Sequence, residues 1–245
     1  MLCDGASQTP LSILARVLYS PVLLRTRMSR SHKQIQVLMY QDVLCPWSWL
    51  AELRLSQLQR ELSEVLRFVP RPYPLRPMES LPSEDEISRA VKDLTSAARE
   101  REALPLRPDL WTSGDPPRSS MEPLAALESA RLQGEPARLE LQSRLRHAAM
   151  EQGLNVTRPD IVLELAERAG LDLPRFAAAF AAPASAQRVR DVLDLALDTG
   201  VREIPALVIG DEWLVAGARS TEEYAAVLRR YLAARLGVAA EQTVH

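Results

Sequence analysis

The feature that most constrains this chain is a change of hydrophobic period across residues 35–63. Ile35-Gln36-Val37-Leu38-Met39-Tyr40 is a nearly continuous apolar run, the pattern of a buried strand in a parallel sheet. A short loop follows, Gln41-Asp42-Val43-Leu44. The string Cys45-Pro46-Trp47-Ser48 then opens an amphipathic stretch to about Ser63, in which Trp47, Leu50, Leu55, Leu58 and Leu62 recur at helical spacing. Pro46 suits the first helical position, where its missing N–H costs nothing. Val65 to Val69 reads as a second strand, and the rigid extended segment Pro70-Arg71-Pro72-Tyr73-Pro74-Leu75-Arg76-Pro77 ends it. A strand, a helix and a strand in this order call for a right-handed crossover and a parallel sheet.

The pattern is then helical from about Ser83 to Ala182. Ser83 with Glu86 has the spacing of a capping box, and Thr157 with Asp160 has a similar one. Breaks at residues 105–117, 134–136, 153 and 170–174 predict four or five helices. A further helix runs from about Ala184 to Thr199, with Gly200 as its C-terminal cap. Ala206-Leu207-Val208-Ile209 and Trp213-Leu214-Val215-Ala216 read as two strands joined through Gly210-Asp211-Glu212. Ser220 with Glu223 caps a last helix to about Leu236. The order predicts an α/β fold with a four-stranded mixed sheet and an all-helical insertion. Its expected parts are a flexible basic leader over 1–34, the N-terminal half of the sheet domain over 35–78, the insertion over 79–182 and the C-terminal half over 183–245.

Composition narrows the chemistry. The chain has 245 residues, 47% of them apolar, enough to bury a large core without disulfide or metal staples. A formal net charge of -2 argues against a general nucleic-acid binder, and no apolar run has the length of a membrane span. The nine glycines include no nucleotide-phosphate loop. Cys3 and Cys45 alone cannot make a four-ligand zinc site, and His32, His147 and His245 lie in three separate contexts; no metal site is expected. The leader holds Arg16, Arg25, Arg27, Arg30 and Lys33 against the single acidic Asp4. It reads as a disordered extension, as a start placed upstream of the true one at Met28, or as a transit peptide; a secretory signal would carry its charge before the apolar stretch.

Thiol chemistry is what remains. Cys45 stands where a strand's carboxyl end meets a helix start, the usual place for function in open α/β sheets. There a sulfur faces the free N–H groups of Trp47 and Ser48 and the positive end of the helix dipole, so its pKa should fall. Ser48, one turn on, could donate to the sulfur, and Trp47 could shield it. The plainer reading is an inert, buried cysteine. Pro205, just before an apolar strand in Val201-Arg202-Glu203-Ile204-Pro205-Ala206, is either a trans proline at the first strand position or a cis Ile204–Pro205 bond that presents backbone polar groups to an extended substrate. Arg71, Arg76 and Arg202 read as solvated surface charges.

Asp42-Val43-Leu44-Cys45-Pro46-Trp47-Ser48, Arg71 to Pro77, and Gly200 to Ile209 together resemble the DsbA-like branch of the thioredoxin superfamily. The nearest group is the cytoplasmic, polyketide-associated oxidoreductases. The 2-hydroxychromene-2-carboxylate isomerases and kappa-class glutathione transferases share the architecture. The resemblance spans about Ile35 to Leu236. It implies a thioredoxin-like fold, Cys45 as the nucleophile, Pro205 as the cis-proline, and Trp47 and Ile204 beside the substrate. It implies no tightly bound cofactor, glutathione as a co-substrate, a small thiol or disulfide or an extended peptide as partner, and a cytoplasmic location. One departure stands out: dithiol members carry Cys-Pro-Trp-Cys, whereas Ser48 replaces the second cysteine here. A serine cannot resolve a mixed disulfide, so the expected activity is monothiol exchange. The alternatives are a glutathione-dependent isomerase or transferase and a redox-inactive peptide binder.

Overall fold

The computed structural model describes residues 34–102 and 104–236; residues 1–33 of the expected leader lie outside the described residues. The apolar run forms β1 (Ile35–Gln41), followed by α1 (Pro46–Glu61) and β2 (Leu66–Pro72). Six α-helices follow, α2 (Glu84–Ala97), α3 (Asp109–Thr112), α4 (Met121–Ala130), α5 (Glu135–Met150), α6 (Pro159–Arg168) and α7 (Leu173–Ala181), with a 3₁₀ turn at Arg131–Gln133. The chain closes with α8 (Pro183–Asp198), β3 (Ala206–Ile209), β4 (Trp213–Ala216) and α9 (Thr221–Leu236). The strands make one sheet in the order β2-β1-β3-β4. β1 runs parallel to β2 and antiparallel to β3, and β3 and β4 form a hairpin. This is the thioredoxin-like mixed sheet that the order of elements predicts.

Three local expectations need correcting. β2 does not stop at Val69: Pro70 pairs with Met39 and Pro72 with Gln41. β2 is an edge strand, and Tyr73 donates its N–H to the Gln41 carbonyl. With alternating orientation, the nitrogens of Pro70 and Pro72 face away from β1, so no ladder bond is lost. Thr157 and Asp160 form no capping box. Both the N–H and the hydroxyl of Thr157 donate to Asn155 Oδ1, and the cap falls on Arg158; the local turn around Asn155 competes with the helix and wins. Six helices stand where four or five were expected, because the single turn α3 occupies part of the span 105–117 that reads as a break. The Ser83 box does form, with Ser83 Oγ accepting from the Glu86 N–H and Glu86 accepting from the Ser83 N–H.

Alternation along β1 divides the core. Val37 and Met39 face α1 and α9, where they meet Leu55, Leu58, Leu207, Ile209, Tyr224 and Leu228. Leu38 and Tyr40 face the other way, toward Tyr73, Ala196, Val201 and Val208. A separate apolar core fills the helices between β2 and β3, and Val43, Leu44 and Trp49 reach into it from the loop after β1 and the start of α1. Helix α1 is thus buried on two sides. Leu50, Leu55 and Leu58 are buried as their spacing predicts, Trp49 is buried as well, and Trp47 and Leu62 are only half-buried.

Candidate active site

The loop between β1 and α1 is shaped by one carboxyl group. Asp42 is fully buried, and its Oδ1 accepts the Leu44 N–H at 2.9 Å while its Oδ2 accepts the Leu75 N–H at 2.7 Å. The Cys45 N–H donates to the Asp42 carbonyl at 3.3 Å. These bonds turn the chain so that Cys45 falls at the N-cap of α1, in extended conformation, with Pro46 in the first turn. The cap is positional only, since the sulfur makes no capping hydrogen bond.

Cys45 is 4% exposed and lies in the wall of a cleft of about 240 Å³. Leu44, Pro46, Leu75 and Arg76 form one side of that cleft, and Glu86, Arg89, Ala90 and Asp93 of α2 with Trp111 of α3 form the other. Arg76 is no surface charge. It is 9% exposed, pairs with Glu86 at 2.5 Å and donates to the Ser80 carbonyl at 2.9 Å. Its N–H donates to Ser120 Oγ at 3.1 Å, which fixes the strip after β2 against the start of α4. Arg202 is exposed, as expected, and donates to the Leu197 carbonyl. Arg71 is half-buried and lines a smaller crevice behind Asp42.

The thiol itself contradicts the expected low pKa. Burial pushes Cys45 up to about 11. The Ser48 hydroxyl and the N–H groups of Ser48 and Trp47 pull it down as expected, but the Asp42 charge adds to the effect of burial. Loss of water outweighs the helix start, so the resting sulfur is a neutral thiol. Ser48 is 1% exposed, and its Oγ has no hydrogen-bond partner among the described residues. That leaves a buried donor free for a sulfur that carries charge.

The other expected site residues are placed as follows. The Ile204–Pro205 bond is cis, Pro205 is buried and Ile204 half-buried. Ala206 pairs with Tyr40 near the carboxyl end of β1, so Pro205 enters the sheet at the same end as the loop that carries Cys45. Trp47 does not line the cleft directly; its Nε1 donates to Asp93 Oδ1 at 3.1 Å, tying α1 to the opposite wall.

Sequence reasoning missed a buried polar joint behind the loop. Arg146, 2% exposed, donates to Glu52 at 2.5 Å and to Gln41 at 2.8 Å. Gln142 donates to Glu52 at 2.6 Å and accepts from Arg138 at 2.7 Å. The signal available was the positions of Arg138, Gln142 and Arg146 along α5, at spacings of four that place them on one face. Among the described residues, no group of His, Cys, Asp and Glu could hold a metal ion, and no helix is long and apolar enough to cross a membrane.

Comparison with known proteins agrees with this geometry. A curated relative, the ClpXP adapter protein SpxH of Halalkalibacterium halodurans, is 28% identical over 184 residues; the match takes in 73% of this chain and 60% of the relative. A candidate protein disulfide isomerase from Nitrosomonas europaea superposes with a TM-score of 0.72 at 18% identity, covering 82% of this chain and 98% of the other. The cytosolic disulfide reductase DsbM from Pseudomonas aeruginosa, in its structure with GSH, superposes with a TM-score of 0.60 at 18% identity, covering 82% and 98%. The model of the DSBA-like thioredoxin domain matches residues 36–229. With the sheet order, the helices between its halves and the cysteine at the start of α1 in place, the chain belongs to the DSBA-like thioredoxin domain family.

Proposed function

We propose that this protein is a monothiol thiol–disulfide oxidoreductase in which Cys45 is the nucleophile and glutathione or a similar thiol is the co-substrate. The observation that carries the reading is the setting of the sulfur. It lies at the N-cap of α1, in the wall of a 240 Å³ cleft, with the Ser48 hydroxyl and two backbone N–H groups favouring its thiolate. Cys45 loses its proton to solvent, and its thiolate attacks one sulfur of a disulfide. The old S–S bond breaks, one thiolate leaves, and a mixed disulfide remains on Cys45. A second, external thiolate then attacks that bond and releases Cys45, because Ser48 supplies no sulfur. Pro205 and Ile204 border the approach to the thiol, and Trp47 braces the far wall. A cytoplasmic location, where thiols are kept reduced, suits this cycle.

Incubation with oxidised glutathione followed by mass spectrometry of the Cys45 peptide tests the reading. The expected product is a single glutathione adduct on wild-type Cys45, replaced in Ser48→Cys by an internal disulfide. A wild-type thiol that takes up no adduct even at pH 10 would overturn it.

A second reading rests on the neutral thiol. If the sulfur of a bound glutathione takes the charge, the free Ser48 donor would serve it, as a glutathione-dependent isomerase or transferase requires. Retention on a glutathione matrix that survives Cys45→Ala distinguishes this case. Peptide binding with neither adduct nor retention would point to a redox-inactive binder.

A further inference from the structure

We propose that Arg89 and Asp93 are specificity residues of the Cys45 cleft, and that they select small disulfides whose arm ends in a free α-amino acid head, as in cystine. This rests on the reading of Cys45 as the nucleophile and names the class of disulfide it attacks. Glu86, Arg89, Ala90 and Asp93 line the cleft; spaced three or four apart, they share one face of α2. Two of the four charged groups in the cleft cancel, since Arg76 pairs with Glu86 at 2.5 Å. Arg89 and Asp93 are exposed and make no ion pair among the described residues. Arg89 Nε donates to the Asp85 carbonyl at 3.3 Å, whereas Asp93 Oδ1 accepts from Trp47 at 3.1 Å. One side chain is turned back along α2 and the other toward α1. A cation four residues before an anion is also the weaker order for pairing within a helix.

The wall therefore offers a substrate one cation and one anion, side by side. A guanidinium donates to a carboxylate, and an aspartate oxygen accepts from an ammonium. An α-amino acid carries both complementary groups on one carbon. A simple anion or a simple cation on the same wall satisfies one of these charges and is repelled by the other. Size agrees with this choice. The cleft of about 240 Å³ is smaller than the roughly 300 Å³ at which pockets begin to hold drug-sized ligands, and it suits an arm of amino-acid size. Leu44, Pro46, Leu75 and Ala90 supply apolar surface for the carbon next to the sulfur. The Cys45 thiolate attacks the near sulfur of cystine and the S–S bond breaks. That half of the cystine stays on Cys45 as a mixed disulfide, and the other half leaves as a cysteine thiolate that takes a proton from water.

The test compares initial rates of mixed-disulfide formation on Cys45, read by mass spectrometry of the Cys45 peptide, for three disulfides. Cystine carries the whole head, diacetylcystine lacks the ammonium and cystamine lacks the carboxylate. Each rate is divided by that of the same disulfide with mercaptoethanol, which removes differences in intrinsic reactivity. Wild type should favour cystine over each of the other two by about fivefold, the scale of one exposed charged contact. Arg89→Gln should abolish the preference over cystamine, and Asp93→Asn the preference over diacetylcystine. Both side chains are exposed, and asparagine keeps an oxygen for Trp47, so neither change threatens the fold. Equal normalised rates on wild type, or preferences that survive both substitutions, would overturn the proposal and leave the monothiol reading standing. Adduct from none of the three would sink the monothiol reading instead. The head is then tested without chemistry, by calorimetric titration of Cys45→Ser with S-methylcysteine. Binding that weakens about fivefold when Arg89→Gln or Asp93→Asn is added supports the proposal; no binding, or binding that ignores both substitutions, overturns it.

Discussion

The two sides of helix α1 are held by different physics. Toward the sheet, Leu55 and Leu58 sit in one apolar cluster with Val37, Met39, Leu207, Ile209 and Leu228. Toward α5, Glu52 meets Arg146 and Gln142, and Gln41 at the end of β1 meets Arg146. Non-directional burial fixes the first contact, and it tolerates small shifts. Directional, charge-assisted bonds fix the second, and they set one register between α1 and α5. The nucleophile lies at the start of α1, so the apolar side supplies stability and the polar side supplies placement. Changes on the two sides should therefore part company: one set should alter unfolding, the other should also alter the site.

Leu55→Ala should have the largest effect on stability. The side chain is completely buried, and its loss should cost about 3 kcal/mol in denaturant unfolding through lost burial and the cavity left behind. A cost below about 1 kcal/mol would mean that the sheet side of α1 repacks freely. Arg146→Ala should come next, at about 2 kcal/mol. Breaking a deeply buried ion pair costs more, but Glu52 remains partly exposed to water. The comparison is sharpened by the site: Arg146→Ala should also slow Cys45 adduct formation relative to Leu55→Ala at matched stability. Equal rates in the two variants would show that the polar joint does not place the nucleophile.

A pH effect comparable in size to the Leu55→Ala loss should appear at alkaline pH. The folded thiol sits at about 11, above its ordinary value of 9.0, so the folded state holds its proton more tightly than the unfolded chain. That contribution is fully present below pH 9 and is lost as pH rises through 11. Two pH units correspond to about 3 kcal/mol. The difference in unfolding free energy between wild type and Cys45→Ala should therefore shift by up to that amount across the window, and a flat difference would show that the thiol is not desolvated. Ser83→Ala should have the smallest effect, about 1 kcal/mol from the lost cap of α2. Because α2 carries one wall of the cleft, its adduct rate should change little unless that wall frays.

What the sequence could convey follows the same division. The apolar alternation of Ile35 to Tyr40, the Cys45-Pro46 junction and the Gly210 hairpin were readable because each is local: period, turn chemistry and proline geometry act over a few residues. Pro70 and Pro72 misled because their cost depends on which edge of the sheet they occupy, a property of strand order. The thiol misled for a related reason. The helix start that should activate Cys45 is local and visible, whereas the burial that outweighs it is a product of tertiary packing; even the cleft beside the thiol is lined by Leu75 and Trp111, 30 and 66 residues away in the chain. Asp42 stood within the motif that carried the family resemblance, yet its role depends on reaching Leu75 across the loop. Arg76 looked like a surface charge until Glu86 and Ser120 enclosed it.

The central claim is that exchange at this site proceeds through one sulfur that rests as a neutral, buried thiol. Its most direct test is the initial rate of glutathione adduct formation on wild-type Cys45 from pH 7 to pH 11, with oxidised glutathione in excess. The rate should climb about tenfold per pH unit below the thiol's pKa and level off near 11. A rate already at its plateau by pH 7 would contradict the account, because the sulfur would then rest as a thiolate despite its burial.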